Sequence, residues 1–80
     1  MKLNDAVATR IKEFLKQRGM TQYALFKKSG VSEPTISCLV NSRDPTCKLI
    51  TLANLVQGFG IGLKDFFDSD LFTYENIITD

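Results

Sequence analysis

The sequence predicts an all-α domain of five short helices, and three observations carry that reading. Apolar residues recur at i, i+3 and i+4 in successive segments, the spacing of one helix face. Glycines fall where such segments should stop, at Gly19, Gly30 and Gly60. No stretch alternates apolar and polar residues as a half-buried strand would. With 80 residues the chain makes one domain, large enough for a core but with little stability to spare.

After a short lead, Asn4 or Asp5 can cap the first helix, which runs to about Arg18. Its stripe is Val7, Ile11, Phe14 and Leu15, and Arg10, Lys12, Lys16 and Arg18 lie mostly off it. Gly19 ends that helix and Thr21 caps the next. From Gln22 to Leu39 the sequence reads QYALFKKSGVSEPTISCL, two helices joined by a tight turn. Gln22 to Ser29 forms the first of them, and Gly30 and Val31 make the turn. Ser32 is an N-cap, Glu33 suits the positive end of the helix dipole, and Pro34 costs little in the first turn. Ile36, Leu39 and Val40 give this helix one apolar face, leaving a thin polar face of Glu33, Pro34, Ser37, Cys38 and Asn41. That arrangement is a helix-turn-helix.

Asn41-Ser42-Arg43-Asp44-Pro45 is a loop by its turn residues. Thr46 can cap a fourth helix with a stripe of Leu49, Leu52, Leu55, Val56 and Phe59, which Gly58 weakens and Gly60 stops. Gly62 precedes a fifth helix, Leu63 to about Asp68, packed through Leu63, Phe66 and Phe67. We therefore divide the chain into a domain of residues 1–68 and a tail of residues 69–80. The tail is acidic yet holds Leu71, Phe72, Tyr74, Ile77 and Ile78, so it needs a surface, either its own core or a second subunit.

Composition narrows the function. The net charge is only +1, but it is unevenly spread. Through Lys48 the chain holds nine Lys/Arg against four Asp/Glu, and after it one against five. One half can face an anionic partner while the other stays clear. There is no histidine, no Cys–His or Ser–His pairing and no glycine-rich phosphate loop, so an enzyme is not expected. Cys38 and Cys47 lack zinc-site spacing and are expected to be reduced thiols, so no metal or cofactor is expected. No apolar run is long enough to cross a membrane, and the N-terminus lacks a signal-peptide layout, which points to the cytoplasm.

The chain resembles the XRE family, the lambda-repressor-like helix-turn-helix DNA-binding domain of small bacterial and phage transcriptional regulators. The resemblance rests on Ile11 and Leu15, Gly19-Met20-Thr21-Gln22 and Leu25, then Gly30-Val31-Ser32 and Thr35-Ile36-Ser37. It continues through Asn41, Pro45, Thr51-Leu52, Gly60-Ile61 and Leu63-Lys64-Asp65-Phe66-Phe67, covering residues 6–68 in order. It implies a homodimeric regulator, a repressor, whose second motif helix enters the major groove of an operator. By position, Ser32, Glu33, Pro34, Ser37 and Cys38 would face bases. Gln22, Thr35, Asn41, Ser42, Arg43 and Lys48 would hold phosphates, with Lys27 and Lys28 adding to the field. Dimer contacts would come from Phe66, Phe67, Leu71, Phe72 and Ile77.

Three positions depart from the family pattern. Phe26 replaces a usual Ala, Ser29 a bulky aliphatic, and Cys38 a basic or amide side chain. The reading face thus lacks the Arg, Lys, Asn and Gln that contact purines bidentately. The same scaffold serves as a protein-interaction module, an antitoxin or anti-repressor, and there the tail would bind a protein partner.

Overall fold

The computed structural model describes residues 1–43 and 46–78. Five helices follow one another: α1 Leu3–Arg18, α2 Gln22–Ser29, α3 Glu33–Val40, α4 Leu49–Gln57 and α5 Leu63–Phe67, with a 3₁₀ turn at Asp70–Phe72. Among the described residues the extended structure amounts to one isolated bridge, Lys2 to Ile78. Of the expected loop, Asp44 and Pro45 lie outside the described residues, as do Thr79 and Asp80 of the tail.

The apolar stripes meet in a single core. Ile11 of α1, Leu25 of α2, Ile36 of α3, Leu55 and Val56 of α4 and Phe66 of α5 are all fully buried. Burying side chains of this size contributes roughly 1.5–3 kcal/mol each. Phe14 links the two ends of the bundle, its ring stacked 5.3 Å from Phe59 and 6.2 Å from Phe66.

Helix ends mostly follow local chemistry. Gly19 adopts φ 61° and lets the Met20 N–H donate to Leu15 O at 2.9 Å, so the helix carbonyls are satisfied as the chain reverses. Two N-termini, however, depart from the expected caps. Neither Asn4 nor Asp5 caps α1, because the tail reaches the N-terminus and the helix starts earlier. The Met1 ammonium donates to Asn76 O at 2.9 Å and the Ile78 N–H donates to Met1 O at 2.8 Å. Asn4 is then a helical residue whose amide donates to Ser42 O at 3.0 Å. Likewise Thr46 does not cap α4. That helix starts at Leu49 with Lys48 in the cap position and no side-chain bond. Its first turn overhangs the core, leaving Leu49, an expected stripe residue, 64% exposed.

The tail folds back on its own chain. Phe72 packs 4.9 Å from the Phe67 ring and 5.9 Å from Phe66, and the Asn76 amide donates to Leu71 O at 2.7 Å. Phe66, expected at a dimer contact, is instead fully enclosed here. Its place at i+3 from Leu63 in a five-residue helix turns it straight into the core.

Two arginines of α1 also have a role that the sequence hides. Arg10 donates from Nε to Phe66 O at 2.8 Å and from one terminal nitrogen to Asp65 O at 3.0 Å and Asp68 O at 3.2 Å. Arg18 Nε donates to Phe59 O at 3.1 Å. Both guanidiniums lie over the Phe14 ring, so charge that lies off the apolar stripe holds α5 and the α4 exit in place.

Candidate nucleic-acid interface

The α2–α3 unit is built from local signals that agree with one another. Thr21 Oγ1 accepts from the Ala24 N–H at 3.1 Å, and Gly30 reverses the chain at φ 76°. Ser29 Oγ accepts from the Val31 N–H at 3.1 Å, which fixes the turn. Ser32 Oγ accepts from the Thr35 N–H at 3.4 Å and shares a 2.8 Å bond with the Thr35 hydroxyl. Apolar contacts then set the angle between helices: Leu25, Val31, Ile36 and Leu39 are buried beneath the pair.

The unusual Ser29 is explained by what approaches it. A Cβ on Gly58 would sit 3.0 Å from Ser29 Cβ and 2.7 Å from Leu25 Cδ1, so the end of α4 presses on α2 through two small residues. Phe26, half-buried, needs no room in that contact. It packs edge-on to Tyr23 at 6.0 Å.

Beyond this support the start of α3 is open. Ser32, Glu33 and Pro34 are exposed, and Ser37 and Cys38 are half-buried. Gln22, Tyr23, Glu33, Pro34 and Ser37 line one shallow cleft between the N-termini of α2 and α3. The structure therefore brings Gln22 together with three of the five expected base-facing residues, and Ser32 is next in the chain. Tyr23 was not expected there. At 59% exposed it is, among the described residues lining this cleft, the one large exposed hydrophobic, and an aromatic in the first turn of α2 is the sequence signal for it.

Hydrogen bonds already made limit what these groups can present. The Ser32 and Thr35 hydroxyls bond each other and the helix end, so their first duty is capping. The Asn41 amide donates to Ser37 O at 2.9 Å and to Ser37 Oγ at 3.3 Å. With one lone pair of Ser37 Oγ so occupied, its hydroxyl still has a proton to donate. The Glu33 carboxylate makes no hydrogen bond or ion pair among the described residues and offers acceptors alone.

At the far end of α3 the chain turns through Ser42, the one non-glycine residue with positive φ among those described, at 57°. The Arg43 N–H donates to Cys38 O at 2.8 Å and the Ser42 N–H to Leu39 O at 3.3 Å, the double bond of a Schellman turn with serine where glycine is usual. This turn presents Arg43 outward, and Lys48 is exposed where α4 begins. Lys28 sits elsewhere, in a cleft with Arg18, Met20 and Gln57 at the other end of α2.

The sequence profile of the Cro/C1-type HTH DNA-binding domain matches residues 10–74. The chain belongs to that family. Among curated proteins no sequence matches it. As a Cro/C1-type domain the protein is a DNA-binding regulator of transcription. The match runs through Tyr74 and so takes in the 3₁₀ turn that packs on α5. Among the described residues no group of side chains could hold a metal ion, and no helix is long and apolar enough to cross a membrane.

Proposed function

We propose that this Cro/C1-type domain is a repressor that binds a two-fold symmetric operator as a homodimer, in the cytoplasm. The observation that carries the proposal is the capped, solvent-open start of α3 beside Gln22 and Tyr23. Glu33 accepts from the amino group of a cytosine, Ser37 donates to a purine N7 or thymine O4, and Pro34 and Cys38 meet thymine methyls. Gln22, Asn41, Ser42, Arg43 and Lys48 hold the backbone, with Thr35 and Ser32 securing the helix start. Tyr23 adds a hydroxyl at phosphate height beside Gln22.

Selection of binding sites from random duplex DNA tests this, run at low and moderate salt. The expected product is a palindrome whose half-sites lie about one helical turn apart. Glu33→Gln should shift the preferred base from cytosine toward adenine. Affinity should fall with salt by roughly one log–log unit per phosphate contacted. Enrichment of no sequence would overturn the proposal and favour a protein-interaction module.

A further inference from the structure

Because the first turn of α4 overhangs the core, Leu49 does not close the gap between α1, α3 and α4. A cavity of about 130 Å³ lies there among Leu3, Val7, Leu39, Leu49, Leu52 and Phe67. Val7, Leu39 and Leu52 are buried at its base, and Leu3 and Leu49, 51% and 64% exposed, reach solvent. Protein interiors hold few voids larger than a water molecule, so a cavity of this size is notable in so small a core. Two polar residues enter the wall, Asn4 and Cys47. The Cys47 thiol donates to Lys48 O at 3.5 Å and the Asn4 amide to Ser42 O at 3.0 Å. Asn4 Oδ1 accepts no hydrogen bond among the described residues, which leaves it as an acceptor at the wall.

Size and lining fix the class of guest. Pockets for cofactors and drug-sized molecules are about 300–1,000 Å³, well above this one. An apolar cavity of about 150 Å³ excludes water and takes up benzene. A wall this apolar favours such a guest, since a buried water needs about two to four polar partners. One hydroxyl on the guest would find its acceptor in Asn4 Oδ1.

We propose that this cavity binds a small phenol or branched alcohol, and that its occupancy tightens the grip of the α3–α4 turn on DNA. Two wall residues hold Ser42 from either side. Asn4 donates to its carbonyl, and its N–H donates to Leu39 O at 3.3 Å. Ser42 has the left-handed φ of 57°, which costs a non-glycine residue energy, and Arg43 follows it directly. A guest packed against Asn4 and Leu39 steadies both anchors of this strained turn. Less ordering then remains when Ser42 and Arg43 close on a phosphate, so DNA and guest favour each other. The coupling rests on the phosphate role given to Ser42 and Arg43 above; the binding site itself does not.

Phenol and toluene are the probes, added to the full chain without DNA and followed by methyl NMR. Phenol should shift the methyls of Val7, Leu39 and Leu52 saturably, leave those of Leu25 and Val31 in place, and bind more tightly than toluene. Cys47→Phe sends a ring into the cavity from outside the helices and should weaken phenol at least about tenfold, with circular dichroism checking the fold. No shift at high phenol overturns the site, as do shifts centred on Ile77 in the shallow groove along the tail. Equal binding of toluene and phenol overturns the hydroxyl contact. Affinity for a selected operator should rise about fivefold in saturating phenol, and an unchanged affinity overturns the coupling. Selection that yields no operator counts against the DNA reading and ends the coupling with it, while the methyl shifts alone decide the cavity.

Discussion

Replacing Arg10 by methionine removes the guanidinium that lies over the Phe14 ring while keeping an unbranched apolar stem. Three bonds to backbone carbonyls disappear, at 2.8, 3.0 and 3.2 Å. The first, to Phe66 O, is partly buried, and a charged donor there is worth about 1.5–3 kcal/mol. Asp65 O and Asp68 O are more exposed, so water takes over and each loss is about 0.5 kcal/mol. The ion pair to Glu13, 3.3 Å long with Glu13 45% exposed, contributes roughly 0–0.5 kcal/mol. The expected destabilisation from these bonds and the ion pair is thus about 2.5–4.5 kcal/mol, a large share of the roughly 4–12 kcal/mol available to a domain of this size. Urea denaturation followed by circular dichroism measures it. Because the acceptors are neutral carbonyls, the loss should persist at high salt, and Glu13→Gln should change stability by less than about 0.5 kcal/mol. A loss below about 0.5 kcal/mol, or one that vanishes with added salt, would refute the reasoning and return Arg10 to the surface.

Gly58→Ala should destabilise by about 1–2 kcal/mol net, since overpacking costs about 1–3 kcal/mol and helix propensity returns up to about 1. The new methyl meets Leu25, which is fully buried and has nowhere to move; unchanged or increased stability in urea would contradict the close approach. Ser42→Gly should stabilise by about 0.5–1 kcal/mol by relieving the left-handed backbone. A loss in the same urea assay would show that the Ser42 side chain holds something the turn needs. Asn41→Ala should cost about 0.5–1 kcal/mol and free the Ser37 hydroxyl from its present orientation. Site selection with that variant should then broaden at the base opposite Ser37, and an unchanged preference there would remove Ser37 from the reading face.

The sequence by itself determined the parts governed by neighbours in the chain. The bounds of α2, the turn at Gly30, the caps at Thr21 and Ser32 and the glycine stop at Gly19 all depend on residues within about four positions, and all are found as expected. The apolar periodicity likewise named Ile11, Ile36, Leu55 and Phe66 as packing residues. The exposed start of α3 was legible for the same reason, since a short capped helix fixes which side chains surround its start.

Only the tertiary structure decided contacts between residues far apart in the chain. The start of α1 is set by Asn76 and Ile78, seventy-five and more positions away, and no cap rule anticipates that. Arg10 and Arg18 fall off the apolar stripe, and only the arrival of α5 and the α4 exit gives their guanidiniums carbonyls to bind. Leu49 keeps helical spacing with the core, yet α4 enters at an angle that leaves its first turn outside. Ser29 and Gly58 are small for one shared reason, the pressure of α4 on α2. Local propensity chooses the helices because it acts through the backbone of adjacent residues. Which surfaces those helices then cover depends on packing the whole set at once.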